Sequence, residues 1–217
     1  MYILKQTEFS NFNLHQSKLF VPFWNSFYHY KILDENTQQE IDYFVELNLN
    51  NLLTENNIKK LLRWKDPKYL SEMIKSGKNQ DSKNPRVYKV LSKMNKINDF
   101  RNNEITEFQF DEILNDCFPN GNGIWNIFIK HIAKPLSFPI YDQHVYRAFC
   151  WHKKDNEKDI NNKYSNYKEY FYEIYYSLYN DTSVIEKIRN MKTIDNALMA
   201  FGQFLKIYGN RPTTDST

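Results

Sequence analysis

Phe118-Pro-Asn-Gly-Asn-Gly-Ile-Trp125 and, further along, Tyr141-Asp-Gln-His-Val-Tyr-Arg147 are the two stretches on which the reading of this chain turns. In the first, Gly121 and Gly123 flank Asn122 between two segments of helical pattern, predicted over Ile105 to Phe118 and Ile124 to Lys134. Glycine tolerates positive φ because it has no Cβ to clash, so this spacing allows a sharp turn that exposes its amides. The helix predicted from Ile124 points its own unsatisfied N–H groups and positive dipole end to the same place, a combination that suits a phosphate. In the second stretch Asp142 opens another helix, where the dipole favours an ionised carboxylate. A phosphate grip followed by an acid suggests chemistry on a nucleic acid.

Together the two motifs resemble the helix-hairpin-helix GPD superfamily of DNA glycosylases, whose members carry a Gly-x-Gly hairpin and then Val-Asp-Thr-His-Val-x-Arg around the catalytic aspartate. Asp142, His144, Val145 and Arg147 fit the second pattern without a gap, and Gly121, Gly123 and Trp125 fit the first. Members that also cut the strand usually place a lysine where this chain has Trp125. Gly-x-Gly-x-Trp is similar to the alkylated-base (3-methyladenine) branch, which removes the base with water alone. Asn120 stands where a proline usually abuts the first glycine, and the segment between hairpin and aspartate is slightly short.

The resemblance implies a monofunctional glycosylase without lyase activity, with Asp142 as its catalytic residue. Cleaving an N-glycosidic bond develops positive charge on the sugar, so a fixed carboxylate near the anomeric carbon lowers the barrier. The base must leave the stack first and enter an aromatic pocket. Trp125, Tyr141 and His144 are the pocket candidates beside the motif, with Trp24, Tyr28 and Trp64 from the N-terminal side. Backbone amides at Gly121, Asn122 and Gly123, helped by Lys130 and Lys134, would hold the DNA backbone. The partner implied is double-stranded DNA with a modified base, bound by a monomer, and no cofactor or metal is called for. Some relatives carry an iron-sulfur cluster, which needs four thiolates; Cys117 and Cys150 are the chain's two cysteines and read as core thiols.

Composition frames this reading. A chain of 217 residues with 41% hydrophobic and 17% aromatic residues has ample material for a core. Five glycines argue against a turn-rich all-β protein. The fold class expected is all-α, with two helical subdomains around a cleft. One domain is expected over 1–210, its helical subdomain over about 36–140 with the hairpin at 106–134. The N-terminal segment and 141–210 form the other subdomain, and 211–217 a disordered tail. The net charge of +3 and pI near 8.6 permit a local nucleic-acid patch. No stretch is long enough to span a bilayer, and the start lacks a secretion signal, so a cytoplasmic protein is expected.

Along the chain, residues 1 to about 35 read as irregular and aromatic, and pack as core. Thr37 is predicted to cap a run with Ile41, Phe44, Val45 and Leu47, and Thr54 to start a second helix. A third is predicted after Pro67. Gly77 to Pro85 reads as a mobile loop, Arg86 to Ile97 as one helix with a cationic face, and Tyr164 to Tyr208 as two or three helices. Within the last of these, Asp195 to Leu205 resembles the apolar closing helix of the glycosylase fold, where small residues permit close packing.

Which base is excised is not written in these motifs. Alkylated purines follow from the branch resemblance. The divergent N-terminal third suggests instead a hypermodified base, such as glucosylated hydroxymethylcytosine in phage DNA, and therefore repair or anti-phage defence. A non-catalytic helix-hairpin-helix DNA-binding module is the alternative. A nuclease has no support in metal-ligand spacing.

Overall fold

The computed structural model describes residues 14–74, 82–118, 123–154, 160 and 163–208. These residues are mostly helical, with one two-stranded ladder among them. The chain divides into two compact units. One runs from Tyr30 to Ser137; the other joins the described residues up to His29 with those from Phe138 onward.

In the Tyr30–Ser137 unit, helix starts follow from side chains that satisfy orphan amides. Helix α1 of this unit spans Tyr43–Leu47 and is capped by Asp42. Thr37 therefore does not start the run, contrary to expectation. The Asp34 side chain instead accepts from the Asn36 and Thr37 amides, each at 2.9 Å, and closes a turn within the Leu33–Glu40 bridge. Helix α2 spans Glu55–Lys65 behind a capping box of Thr54 and Asn57. The helix predicted after Pro67 is a single turn, because Asp66 Oδ1 accepts from Lys68 and Tyr69 amides and Ser71 Oγ donates to the Pro67 carbonyl.

The Gly77–Pro85 segment lies partly outside the described residues. Its described end pairs as a strand: β1 (Met73–Ile74) is antiparallel to β2 (Ser82–Lys83). Arg86 to Ile97 is two helices rather than one, α3 (Pro85–Ser92) and α4 (Met94–Arg101). Lys93, at φ −100° and ψ 9°, breaks the run. Next come α5 (Glu107–Cys117), with a Thr106–Gln109 capping box, and α6 (Gly123–Ala133). Ile58, Leu61, Leu62, Val87, Val90, Phe100, Phe110 and Phe128 are buried between these helices, the Phe100 and Phe110 rings stacked at 4.4 Å. Arg101 reaches carbonyls at two helix ends, donating to Leu47 at 3.0 Å, Asn48 at 2.7 Å and Ile132 at 3.4 Å.

Among the described residues the other unit is built on four helices. Leu14–Asn25 (α7) is helical where the sequence suggested an irregular segment, and its Pro22 lies on the exposed side. The remaining three are α8 (Gln143–Lys153), α9 (Tyr164–Leu178) and α10 (Val184–Tyr208). At about 1.5 Å per residue α10 is the long strut of the unit, and both α7 and α8 pack along it. Val21, Trp24, Val145, Phe149, Phe171, Ile194, Leu198 and Phe201 make the core. Cys117 in the first unit and Cys150 in this one are buried and outside any disulfide.

Candidate functional site

Asp142 sits at the N-cap of α8 with extended backbone, and its Oδ1 accepts from the His144 amide at 2.7 Å and the Val145 amide at 3.1 Å. Two amides on one oxygen fix where the carboxylate points. The residue before it, Tyr141, packs its ring 5.9 Å from that of Tyr146, the fourth helical residue, which makes a hydrophobic staple. Staple and cap together set the entry angle of the chain into α8.

This first turn is pressed by α10. At Gly202 a Cβ would meet the His144 carbonyl oxygen at 2.0 Å, its carbon at 2.6 Å and its Cα at 3.0 Å. Only a hydrogen fits between the two backbones. Arg147 closes the contact: its Nη1 donates to the Gly202 carbonyl at 3.2 Å and lies 3.3 Å from His144 Nδ1. Burial, chiefly, pushes the His144 imidazole below its usual range; Asp142 and a hydrogen bond to the Gly202 backbone oppose that shift, and Arg147 adds to it.

Asp42, at the start of α1, offers a comparison. Its Oδ1 accepts from the Phe44 amide at 2.9 Å and the Val45 amide at 3.2 Å. Local geometry matches that of Asp142, yet Asp42 is exposed and Asp142 is half-buried. What differs is the surroundings of the cap.

Several residues expected to line a base pocket are core instead. Tyr141 is fully buried, its hydroxyl donating to the Ile160 carbonyl at 2.7 Å, because the staple turns its ring inward. Trp24 is buried among Phe20, Phe27, Phe201 and Phe204. Trp64 is buried in the other unit, 4.7 Å from the Tyr43 ring and 6.4 Å from that of Phe128. Tyr28 is half-buried, with Lys192 Nζ 4.8 Å from its ring centroid. Trp125 is also half-buried, its ring stacked 6.3 Å from Phe118.

The cations expected at the DNA backbone are already engaged. Lys130 is buried and bridges α6 to α5 through Glu107 at 2.9 Å and Asp111 at 2.6 Å. Lys134 lies 4.0 Å over the Phe100 ring and donates to Asn103 Oδ1 at 2.7 Å. Gly123 opens α6, while Gly121 and Asn122 lie outside the described residues, as does the tail expected over 211–217.

A buried charged pair on α10 lies outside both the hairpin and the aspartate motif. Lys192 donates to Asp195 Oδ2 at 2.7 Å and to Asn196 Oδ1, and both charged residues are buried. Their spacing of three and four along an apolar helix was the available signal. Among the described residues no group of three or more His, Cys, Asp or Glu side chains is placed to hold a metal, and no helix is long and apolar enough to cross a membrane. No family model matches the chain, and no characterised protein and no solved structure matches it.

Proposed function

We propose that this chain is a monofunctional DNA glycosylase, which flips a modified base and hydrolyses its N-glycosidic bond to leave an abasic site. The observation that carries the reading is Asp142: a half-buried carboxylate held by two amides at a helix start, in a motif of family spacing. In this reading the helices α5 and α6, with residues 119–122 between them, form the helix-hairpin-helix, and the first amides of α6 take a phosphate. Asp142 stabilises the positive charge that develops on the sugar and orients the attacking water. Trp125, half-buried at the start of α6, stands where lyase members carry lysine, which supports base removal by water alone.

The target we infer is a modified base in duplex DNA, either an alkylated purine or a hypermodified phage base, so the role is repair or defence. The test is base release from methylated, deaminated, oxidised and phage-modified DNA by wild type and Asp142→Asn. Abasic sites that become strand breaks only after alkali, and only with wild type, are the expected result. Equal release by the two proteins would remove Asp142 from the chemistry. Binding with no release from any substrate would favour a non-catalytic DNA-binding module.

A further inference from the structure

We propose that Arg147 is a positioning residue for Asp142: by bracing the His144 imidazole against the Gly202 carbonyl of α10, its guanidinium holds still the two amides that fix the carboxylate. This inference rests on the glycosylase reading for its catalytic consequence, but the clamp itself is a property of the protein alone.

The chain of contacts is continuous. Gly202 lies directly against the His144 backbone, so α10 and the first turn of α8 share one interface with no side chain between them. Arg147 Nη1 touches both sides of that interface, at 3.2 Å to the Gly202 carbonyl and 3.3 Å to His144 Nδ1. The residue so held, His144, supplies the shorter of the two hydrogen bonds to Asp142, at 2.7 Å. A guanidinium suits this task because it is planar, rigid and permanently charged. A charge-assisted hydrogen bond to a backbone carbonyl is also about twice as strong as a neutral one. Asp42 caps its helix with the same two-amide geometry and is exposed, so the added constraint at Asp142 comes from the α10 side.

The experiment pairs amide hydrogen exchange of the DNA-free protein with single-turnover base release, for wild type, Arg147→Met and Arg147→Lys. In Arg147→Met, exchange at the His144 and Val145 amides is expected to speed up by about tenfold, in line with loss of a charge-assisted hydrogen bond. The amides of Ala148 and Phe149, inside α8, should change little. Base release should slow by at least the same factor, with the Kd for DNA held within about twofold. Arg147→Lys keeps the cation and one donor, and should recover part of both effects. It also keeps the test alive should the methionine variant fail to fold. Unchanged protection at His144 and Val145, equal acceleration along all of α8, or a loss confined to Kd would each overturn the proposal. If wild type releases no base at all, the glycosylase reading falls, while the exchange data still decide whether Arg147 clamps the cap.

Discussion

Replacing Gly202 with alanine tests the contact on which the geometry of the α8 start depends. A Cβ there would lie 2.0 Å from the His144 carbonyl oxygen and 2.6 Å from its carbon. Both obstacles are backbone, so no rotamer change relieves the clash; α10 must slide or the first turn of α8 must yield. Overpacking of this kind costs about 1–3 kcal/mol, and the upper end applies where main chain meets main chain. Alanine returns about 1 kcal/mol because it is the better helix former, leaving a net loss of about 2 kcal/mol. For a chain of this size that corresponds to a fall in Tm of about 4–8 °C. Thermal unfolding followed by circular dichroism at 222 nm measures it, with Gly202→Ser as a second variant expected to lose more. A Tm that is unchanged or raised would mean that the helix preference outweighs the contact and that the two backbones are not as close as described.

Three further outcomes follow from the same structure. His152 is held with its Nε2 buried, its Nδ1 sharing a hydrogen bond with the Tyr170 hydroxyl, and burial pushes its pKa down to about 3. The unfolded chain therefore binds a proton below about pH 6.5 that the folded chain refuses, so stability is full above that pH and falls as pH drops towards 3. The slope is about 1.4 kcal/mol per pH unit, and denaturant melts of wild type and His152→Gln should differ by that slope. Lys130→Met should change stability by less than about 1 kcal/mol, since Glu107 and Asp111 are exposed enough to return to water and the apolar stem is kept. It should also leave the salt dependence of DNA binding unaltered; a shallower slope would restore Lys130 as a phosphate contact. Arg101→Met should cost about 1–3 kcal/mol in urea melts by taking the guanidinium donor from the Leu47 and Ile132 carbonyls, while Asn48 keeps the Asn51 amide, and no loss would show that water serves them instead.

Helix identity was legible wherever the pattern and the cap agreed. Thr54 and Asp142 each begin a helix as the sequence suggests, because a side-chain oxygen followed by an amphipathic run meets a local need with a local group. Where competing local bonds decide, the pattern misled. Asp34 draws Thr37 into a turn, Asp66 closes the Pro67 segment after one turn, and Lys93 divides a run whose apolar spacing continues across it. Aromatic residues were harder still. Trp24, Trp64 and Tyr141 carry no mark in the sequence that separates a pocket wall from a core side chain, since both roles favour large flat rings. Tyr141 alone carried a usable signal, its place one residue before an N-cap with Tyr146 at the matching staple position. Lys130 was misread for a related reason: its partners lie on a different helix, at positions no local pattern joins to it.

Asp42 and Asp142 separate the capping use of an aspartate from the catalytic one. Both accept two amides on Oδ1 with nearly the same distances. Truncation to alanine should therefore cost each helix start about 1 kcal/mol, and asparagine, as good a cap, should cost almost nothing at either. Stability alone cannot tell the two positions apart. Charge can: asparagine keeps the cap and removes the negative charge that an oxocarbenium-like state requires. Asp142→Asn should thus melt like wild type and release no base, while Asp42→Asn should melt like wild type and keep full release. Activity retained in Asp142→Asn would make Asp142 a cap like Asp42, and its half-buried setting under Gly202 a matter of packing alone.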